Sequence, residues 1–317
     1  TVVVSPRSTE IESDRMMDWK LFHNVDMLEQ ERIEARQHRQ RQRRFLVERR
    51  ALIRPAASCI AKTYENVIAV KSDGTLLWAG KASSHTEAWN QYRETALSWK
   101  NISQVVLVEK GHTATFGVIG VRMDGSLVWA GKNLSFLDED VWTDLTAVVY
   151  TELERGFLNK GYHDVFVGLK RDGHIILRVT DEDKLVGKMD KLREWDNLTK
   201  IIGGSNYIAG LKSDGTVVYT QTFGDNLSQT REWTGIVDIA TAYREDIIGL
   251  KEDGTVVTTE YSPTNRNLYS NWPEVAALAS CISNSIGIKY DGTVVAKHVD
   301  KSTEEQLSAW RDIVAVS

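Results

Sequence analysis

The chain has 317 residues, 42% of them hydrophobic and 26% charged, enough apolar material for a sizeable core and too much for a disordered chain. Its net charge of −5 excludes a protein whose whole surface is a nucleic-acid footprint. Cys59 and Cys281 are too few for a disulfide framework and lack the close pairing of a zinc site.

In chain order, Thr1-Val2-Val3-Val4 reads like the strand that follows a tight turn, and Trp19 comes some residues later. The first residues do not resemble a signal peptide, and no run reaches the roughly 18–20 apolar residues of a membrane helix. With cysteines that read as reduced thiols, the expected compartment is the cytoplasm. The chain does not begin with Met, which fits a processed or excised piece.

Residues 27–54 are rich in helix formers and hold no Gly or Pro, which predicts a long helix. Within it, residues 31–54 contain nine Arg and three Glu, a net of +6, which leaves −11 for the rest of a chain whose total is −5. Apolar residues are confined to its two ends. The bland reading is a solvated helix inserted in a repeat and docked at those ends. The functional reading is that Arg36, Arg39, Arg43 and Arg44 present a guanidinium stripe to a carboxylate-rich or phosphate-rich partner. Nucleic acid is possible but not favoured, because the stripe lacks stacking aromatics.

From Val67 onward one pattern recurs six times: AVKSDGTLL from Ala69, GVRMDGSLV from Gly120, GLKRDGHII from Gly168, GLKSDGTVV from Gly210, GLKEDGTVV from Gly249 and GIKYDGTVV from Gly287. Asp-Gly between two β-branched runs is a hairpin signal, and a two-residue type I′ turn is the expected geometry. Asp73, Asp124, Asp172, Asp214, Asp253 and Asp291 are therefore structural turn residues, and turn chemistry accounts for them without a metal.

A Trp precedes a short aliphatic strand between the hairpins, at Trp99, Trp142, Trp195, Trp233, Trp272 and Trp310. Units of about 40 residues holding three or four antiparallel strands define an all-β propeller, since radial repetition protects sheet edges. The chain ends on Trp310 and the strand-like Asp312–Ser317. Six hairpins plus one unit split between 1–5 and 312–317 predict a single seven-bladed domain over 1–317, with six blades as the alternative.

The spacing between turns stretches early in the chain, which places insertions in the loops. Trp89 and Tyr92 in the first long loop, Phe136 in the second, and Tyr261 and Tyr269 in the fifth are candidate anchors, or else packing between blades. No phosphate loop, nucleophile elbow or metal-spaced histidine pair is present, so no catalytic residue, metal or cofactor is assigned.

The order Trp-x-x-aliphatic strand, then small-aliphatic-Lys-x-Asp-Gly-Thr-aliphatic-aliphatic, resembles the repeat of the regulator-of-chromosome-condensation family, in its degenerate bacterial form. The likeness covers residues 56–317 and extends to 1–5. It implies a seven-bladed scaffold of the kind that family uses for nucleotide exchange factors, inhibitor proteins and adaptors. The family's Gly-x-Asn-x-x-Gly-Gln-Leu-Gly after the hairpin is missing: Lys81 and Lys132 follow Trp-Ala-Gly where it would begin, and Asn133 alone echoes it. The family's His before the second strand is matched by His163. No exchange residue carries over. The function expected is a non-catalytic protein-binding scaffold using a propeller face and the Arg-rich helix. The alternative is an enzyme, or a regulator of one, with a small-molecule site at the channel mouth.

Overall fold

The computed structural model describes residues 30, 33, 60–62, 66–71, 73–80, 86–108, 116–154, 162–179, 192–204, 206–221, 226–242, 246–259, 269, 272, 274–281, 284–291 and 293–297. The chain divides into two units, 1–54 and 55–317. In the first, Gln30 and Ile33 are helical and exposed, and the rest of the helix expected over 27–54 lies outside the described residues.

The second unit is mostly β. Each repeat builds one three-stranded antiparallel sheet in simple sequential order, and six such sheets are described. The strands are β1 Ile60–Lys62, β2 Asn66–Val70 and β3 Leu76–Gly80; then β4 Ile102–Val108, β5 Phe116–Arg122 and β6 Leu127–Lys132; then β7 Leu145–Glu154, β8 Tyr162–Lys170 and β9 Ile175–Val179. The remaining sheets are β10 Leu198–Gly204, β11 Tyr207–Lys212 and β12 Val217–Gln221; β13 Ile236–Thr241, β14 Ile247–Lys251 and β15 Val256–Thr258; and β16 Val275–Cys281, β17 Asn284–Lys289 and β18 Val294–Lys297. The Asp-Gly turn joins the second strand to the third in every sheet, and the Trp marker opens the first strand of five of them.

The turn differs from the expected type I′. Arg122 and Ser126 face each other across it, with the Arg122 N–H donating to the Ser126 carbonyl at 2.8 Å and the Gly125 N–H donating to the Arg122 carbonyl at 2.9 Å. Gly125 has φ +89°, whereas Asp124 is not among the residues with positive φ. This is the three-residue loop in which a type I turn is followed by one left-handed residue that forms a bulge. The extra residue, Met123, is what a two-residue turn omits. Four of the other repeats show the same pair of bonds, at Lys71 and Thr75, Lys170 and His174, Lys212 and Thr216, and Lys251 and Thr255.

Successive sheets meet through their first strands: β4 lies against β1 and β2, β7 against β4 and β5, β10 against β7 and β8, β13 against β10 and β11, and β16 against β13 and β14. A Trp sits in the apolar core between each such pair, at Trp99, Trp142, Trp195, Trp233 and Trp272, and all five are buried. An indole of this kind removes roughly 150–250 Å² from water, on the order of 4–6 kcal/mol as an upper bound. The small residue of the repeat follows from it. A Cβ on Gly249 would stand 2.7 Å from the Trp233 ring, and one on Gly287 would stand 2.9 Å from Trp272.

A backbone strap joins each pair of sheets at the turn end. The first residue of the new sheet donates its N–H to the carbonyl of the preceding turn's glycine, as in Ile102 to Gly74 at 2.9 Å, Leu145 to Gly125 at 2.9 Å and Leu198 to Gly173 at 3.0 Å. Ile236 to Gly215 and Val275 to Gly254 complete the series at 3.3 Å. The residue just before each of these donors is left-handed: Asn101 at φ 61°, Asp144 at 59°, Asn197 at 55°, Gly235 at 65° and Glu274 at 60°. Its carbonyl accepts from the turn of its own sheet, Met123 to Asn101 at 2.8 Å and Tyr290 to Glu274 at 3.1 Å among them. Asn, Asp and Gly tolerate that conformation, whereas Glu pays about 1–2 kcal/mol for it. Replacing Glu274 with Gly should therefore raise stability by about 1 kcal/mol in urea denaturation, with the strap from Val275 to Gly254 left in place.

Candidate functional site

In the second to sixth sheets, the third residue of the first strand follows a bulge in the register between the first and second strands. The residues at that place are Gln104, Ala147, Lys200, Asp238 and Ala277, opposite Val121, Leu169, Leu211, Leu250 and Ile288. The bulged residue before them turns its hydroxyl back on the sheet: Ser103 donates to the Val121 carbonyl at 3.0 Å and Thr146 to that of Leu169 at 3.1 Å. The third side chain is thereby aimed at the neighbouring sheet, where three of the five are polar.

Gln104 is buried and acts as an inserted peptide group. Its Nε2 donates to the Val148 carbonyl at 2.9 Å, and the Val148 N–H donates to its Oε1 at 2.7 Å, so both polar ends of the amide are satisfied on β7. Asp238 links three sheets. Its Oδ1 accepts from Lys200 Nζ on β10 at 2.7 Å and from the Ile239 N–H at 2.9 Å, while its Oδ2 accepts from the Leu278 N–H on β16 at 3.2 Å. The pair is partly buried, with side-chain exposures of 29% and 20% for Lys200 and Asp238. Further along the same walls, Thr151 donates to the Gly204 carbonyl at 2.7 Å and Tyr207 to that of Asp246 at 2.9 Å. None of these residues was legible as a site in the sequence. The one signal for Asp238 is a carboxylate inside the aliphatic run Ile236–Ile239.

The six turn aspartates each cap their own turn. Asp73 Oδ1 accepts from the Thr75 N–H at 2.9 Å and from its hydroxyl at 2.5 Å, and Ser126, Thr216, Thr255 and Thr293 serve Asp124, Asp214, Asp253 and Asp291 in the same way. The Thr75 hydroxyl and N–H hold the exposed Asp73 carboxyl down at about 2, against an ordinary value of 3.8. Asp124, Asp214 and Asp253 are lowered by the same pair of donors. His174 stands where the hydroxyl residue would be beside Asp172, and there the largest lowering comes from the His174 backbone N–H.

Arg36, Arg39, Arg43 and Arg44 lie outside the described residues, as does Tyr261. Trp89 and Tyr92 stand in a helix and not in the expected loop: α1, Thr86–Leu97, forms from the run TEAWNQYRETAL, which is free of Gly and Pro. Tyr92 is half-buried against Phe116, with ring centroids 5.7 Å apart, and belongs to the core between the first two sheets. Phe136, in a short 3-10 segment at Ser135–Asp138, packs 4.9 Å from Phe166 and carries the Arg178 guanidinium 5.6 Å above its ring. Tyr269 is buried edge-on to Trp272 at 5.0 Å and shares a 3.0 Å hydrogen bond with Ser285. For Tyr92, Phe136 and Tyr269 packing is the role seen.

Among the described residues no cluster of three or more His, Cys, Asp or Glu is arranged to hold a metal ion, and no helix is long and apolar enough to cross a membrane.

The geometry defines a mostly β protein made of repeated three-stranded sheets tied in series. No family model matches the chain, and no curated protein matches it. It is similar to solved structures at low identity. One is Prp20p from Saccharomyces cerevisiae, described with its binding to Gsp1p and histones, at 11% identity over 75% of this chain and 70% of that one, with a TM-score of 0.42. Another is the CRINKLY WD40 ectodomain of the Arabidopsis thaliana receptor kinase ACR4, at 14% identity over 75% and 82%, with a TM-score of 0.40. A third is the C-terminal domain of gp131 from bacteriophage phiKZ, at 7% identity over 78% and 80%, with a TM-score of 0.43.

Asp238→Ala would strand the Lys200 ammonium and the Leu278 N–H together. Chemical denaturation should show a loss of about 1–3 kcal/mol, and Ala277→Ser, at the equivalent place but with no side-chain bond to a neighbouring sheet, should change little.

Proposed function

We propose that the chain is a β-propeller-type scaffold that works by binding another protein and not by catalysis. The observation that carries this reading is the repetition of one sheet-to-sheet joint, made of strap and buried Trp, along the whole series. Joints of this kind fix the sheets before any partner arrives, so little ordering is left for association to pay for. The segments between sheets, by contrast, differ from repeat to repeat: α1 in the first, the 3-10 segment at Ser135–Asp138 in the second, and another at Asn226–Glu232 in the fourth. Surface differences on a uniform frame are what selective recognition needs.

On this reading, 312–317 opens a seventh sheet. The strap supports it. Trp310-Arg311-Asp312-Ile313 repeats the order of Trp142-Thr143-Asp144-Leu145, in which the Asp is left-handed and the aliphatic donates to the preceding turn glycine. Removing 312–317 should lower the melting temperature sharply, and an unchanged melting curve would rule out that strand.

The proposed contact with the partner is the Arg36, Arg39, Arg43 and Arg44 stripe. The test is a pull-down with mass spectrometry, comparing the full chain with one in which those four arginines are Ala. A protein recovered by the first, lost by the second and released by moderate salt is the expected result. Identical recovery by both chains would remove the stripe from the interface, and a small metabolite that raises the melting temperature of both would overturn the scaffold reading.

A further inference from the structure

Five of the six turns hold the Asp carboxylate with two donors from a single residue. The hydroxyls of Thr75, Ser126, Thr216, Thr255 and Thr293 lie 2.5–2.7 Å from the Asp Oδ1 they serve, in addition to their N–H groups. The third turn has no such hydroxyl. Asp172 Oδ1 accepts the His174 N–H at 3.0 Å and has His174 Nδ1 at 3.3 Å, a longer contact between side chains that are 62% and 63% exposed.

That difference bears on a reaction open to any Asp-Gly bond. The nitrogen of the glycine, unshielded by a side chain, attacks the Asp Cγ. A new N–Cγ bond forms, a Cγ–O bond breaks, and the carboxyl oxygen leaves as water with the amide proton and the carboxyl proton. The resulting five-membered succinimide takes up one water, and opening at its α-carbonyl passes the main chain through the β-carboxyl. The sum is a rearrangement to isoaspartate with no change in mass and no oxidant or reductant. Cyclisation requires a carboxyl that is protonated and rotated out of its hydrogen bonds. The Gly N–H is engaged alike in all the turns for which the bond is seen, Gly173 to Lys170 at 3.0 Å and Gly74 to Lys71 at 2.9 Å. The contrast therefore resides in the carboxylate. A hydroxyl at 2.5–2.7 Å favours the ionised, unreactive form and fixes the side-chain torsions; at Asp172 the largest lowering of the carboxyl comes from the His174 backbone N–H, with smaller ones from the His174 side chain and Lys170.

We propose that Asp172-Gly173 is the bond at which the folded chain converts aspartate to isoaspartate, ahead of its five siblings. The product would serve as a substrate for an isoaspartyl carboxyl methyltransferase using S-adenosylmethionine. The site matters because it stands in a strap. The Gly173 carbonyl accepts from Leu198 at 3.0 Å, and Arg171 in the same turn donates to Asp144 Oδ1 and to the Met123 carbonyl at 2.9 and 3.1 Å. An added main-chain methylene there moves the acceptor that joins the third sheet to the fourth.

The test is to age the full chain in its folded state at mildly acidic pH and to map isoaspartate by methyl transfer from labelled S-adenosylmethionine followed by peptide mass spectrometry. Residue 172 should accumulate the product severalfold faster than residues 73, 124, 214, 253 and 291. His174→Thr should bring it down to their level, and in concentrated urea all six should react at similar rates. Equal rates in the folded chain, or no effect of His174→Thr, would overturn the proposal. An excess at 172 that persists in urea would assign the effect to the local sequence and overturn it as well.

Discussion

The carbonyl of each of the five described turn glycines, taking the N–H that opens the following sheet, is the constraint on which the rest of this structure depends. It brings two segments of main chain so close that a Cβ on Gly125 would lie 2.9 Å from the Leu145 nitrogen. Glycine is thus required twice at that place, by its φ of +89° and by the approach of its neighbour. The left-handed residue before each first strand follows from the same joint, because the chain must reverse there to offer its N–H to one sheet and its carbonyl to the other. The Trp two residues earlier is then carried into the gap between the sheets. One short run of sequence therefore sets turn, strand entry and core anchor together.

Much of this was legible because it is local. The Asp-Gly turns, the strands on either side and the first strands after each Trp are encoded within windows of ten residues, and six copies in register make the pattern unambiguous. The turn type departs from type I′ for a specific reason: the residue between the basic position and Asp is inside the loop, which makes the loop three residues long and leaves a single left-handed position. Helix α1 is hard to see in the sequence because Trp89 and Tyr92 read as anchors in a long loop, although their spacing of three is helical and Tyr92 belongs to a core. The straps from Gln104, Lys200 and Asp238 were invisible for another reason. Their partners, Val148 and Leu278 among them, lie 44 and 40 residues away, and the repeat varies freely at that place, with Ala in two sheets. Asn101, Asp144 and Asn197 could have been found, since Asn and Asp two residues after a Trp and directly before an aliphatic strand are the residues that accept left-handed backbone.

The same economy separates frame from function. Turn aspartates, glycines and tryptophans are consumed by bonds within and between sheets, and so are the polar residues of the first strands. What remains to distinguish one repeat from another is inserted chain, and the insertions fall in the early repeats, where successive turns stand farthest apart. A uniform frame with individual attachments explains how strongly repeated sequence can coexist with the absence of any motif for chemistry.

One sheet does not keep to the common length. Strand β7 runs for ten residues and β8 for nine, against three to seven for the first strands of the other sheets. At roughly 3.4 Å per residue, three extra residues carry that hairpin about 10 Å past its neighbours, on the end away from the Asp-Gly turns. A molecule assembled from near-copies would otherwise look alike from several directions. Among the described strands, this taller crest marks one repeat out from its near-copies.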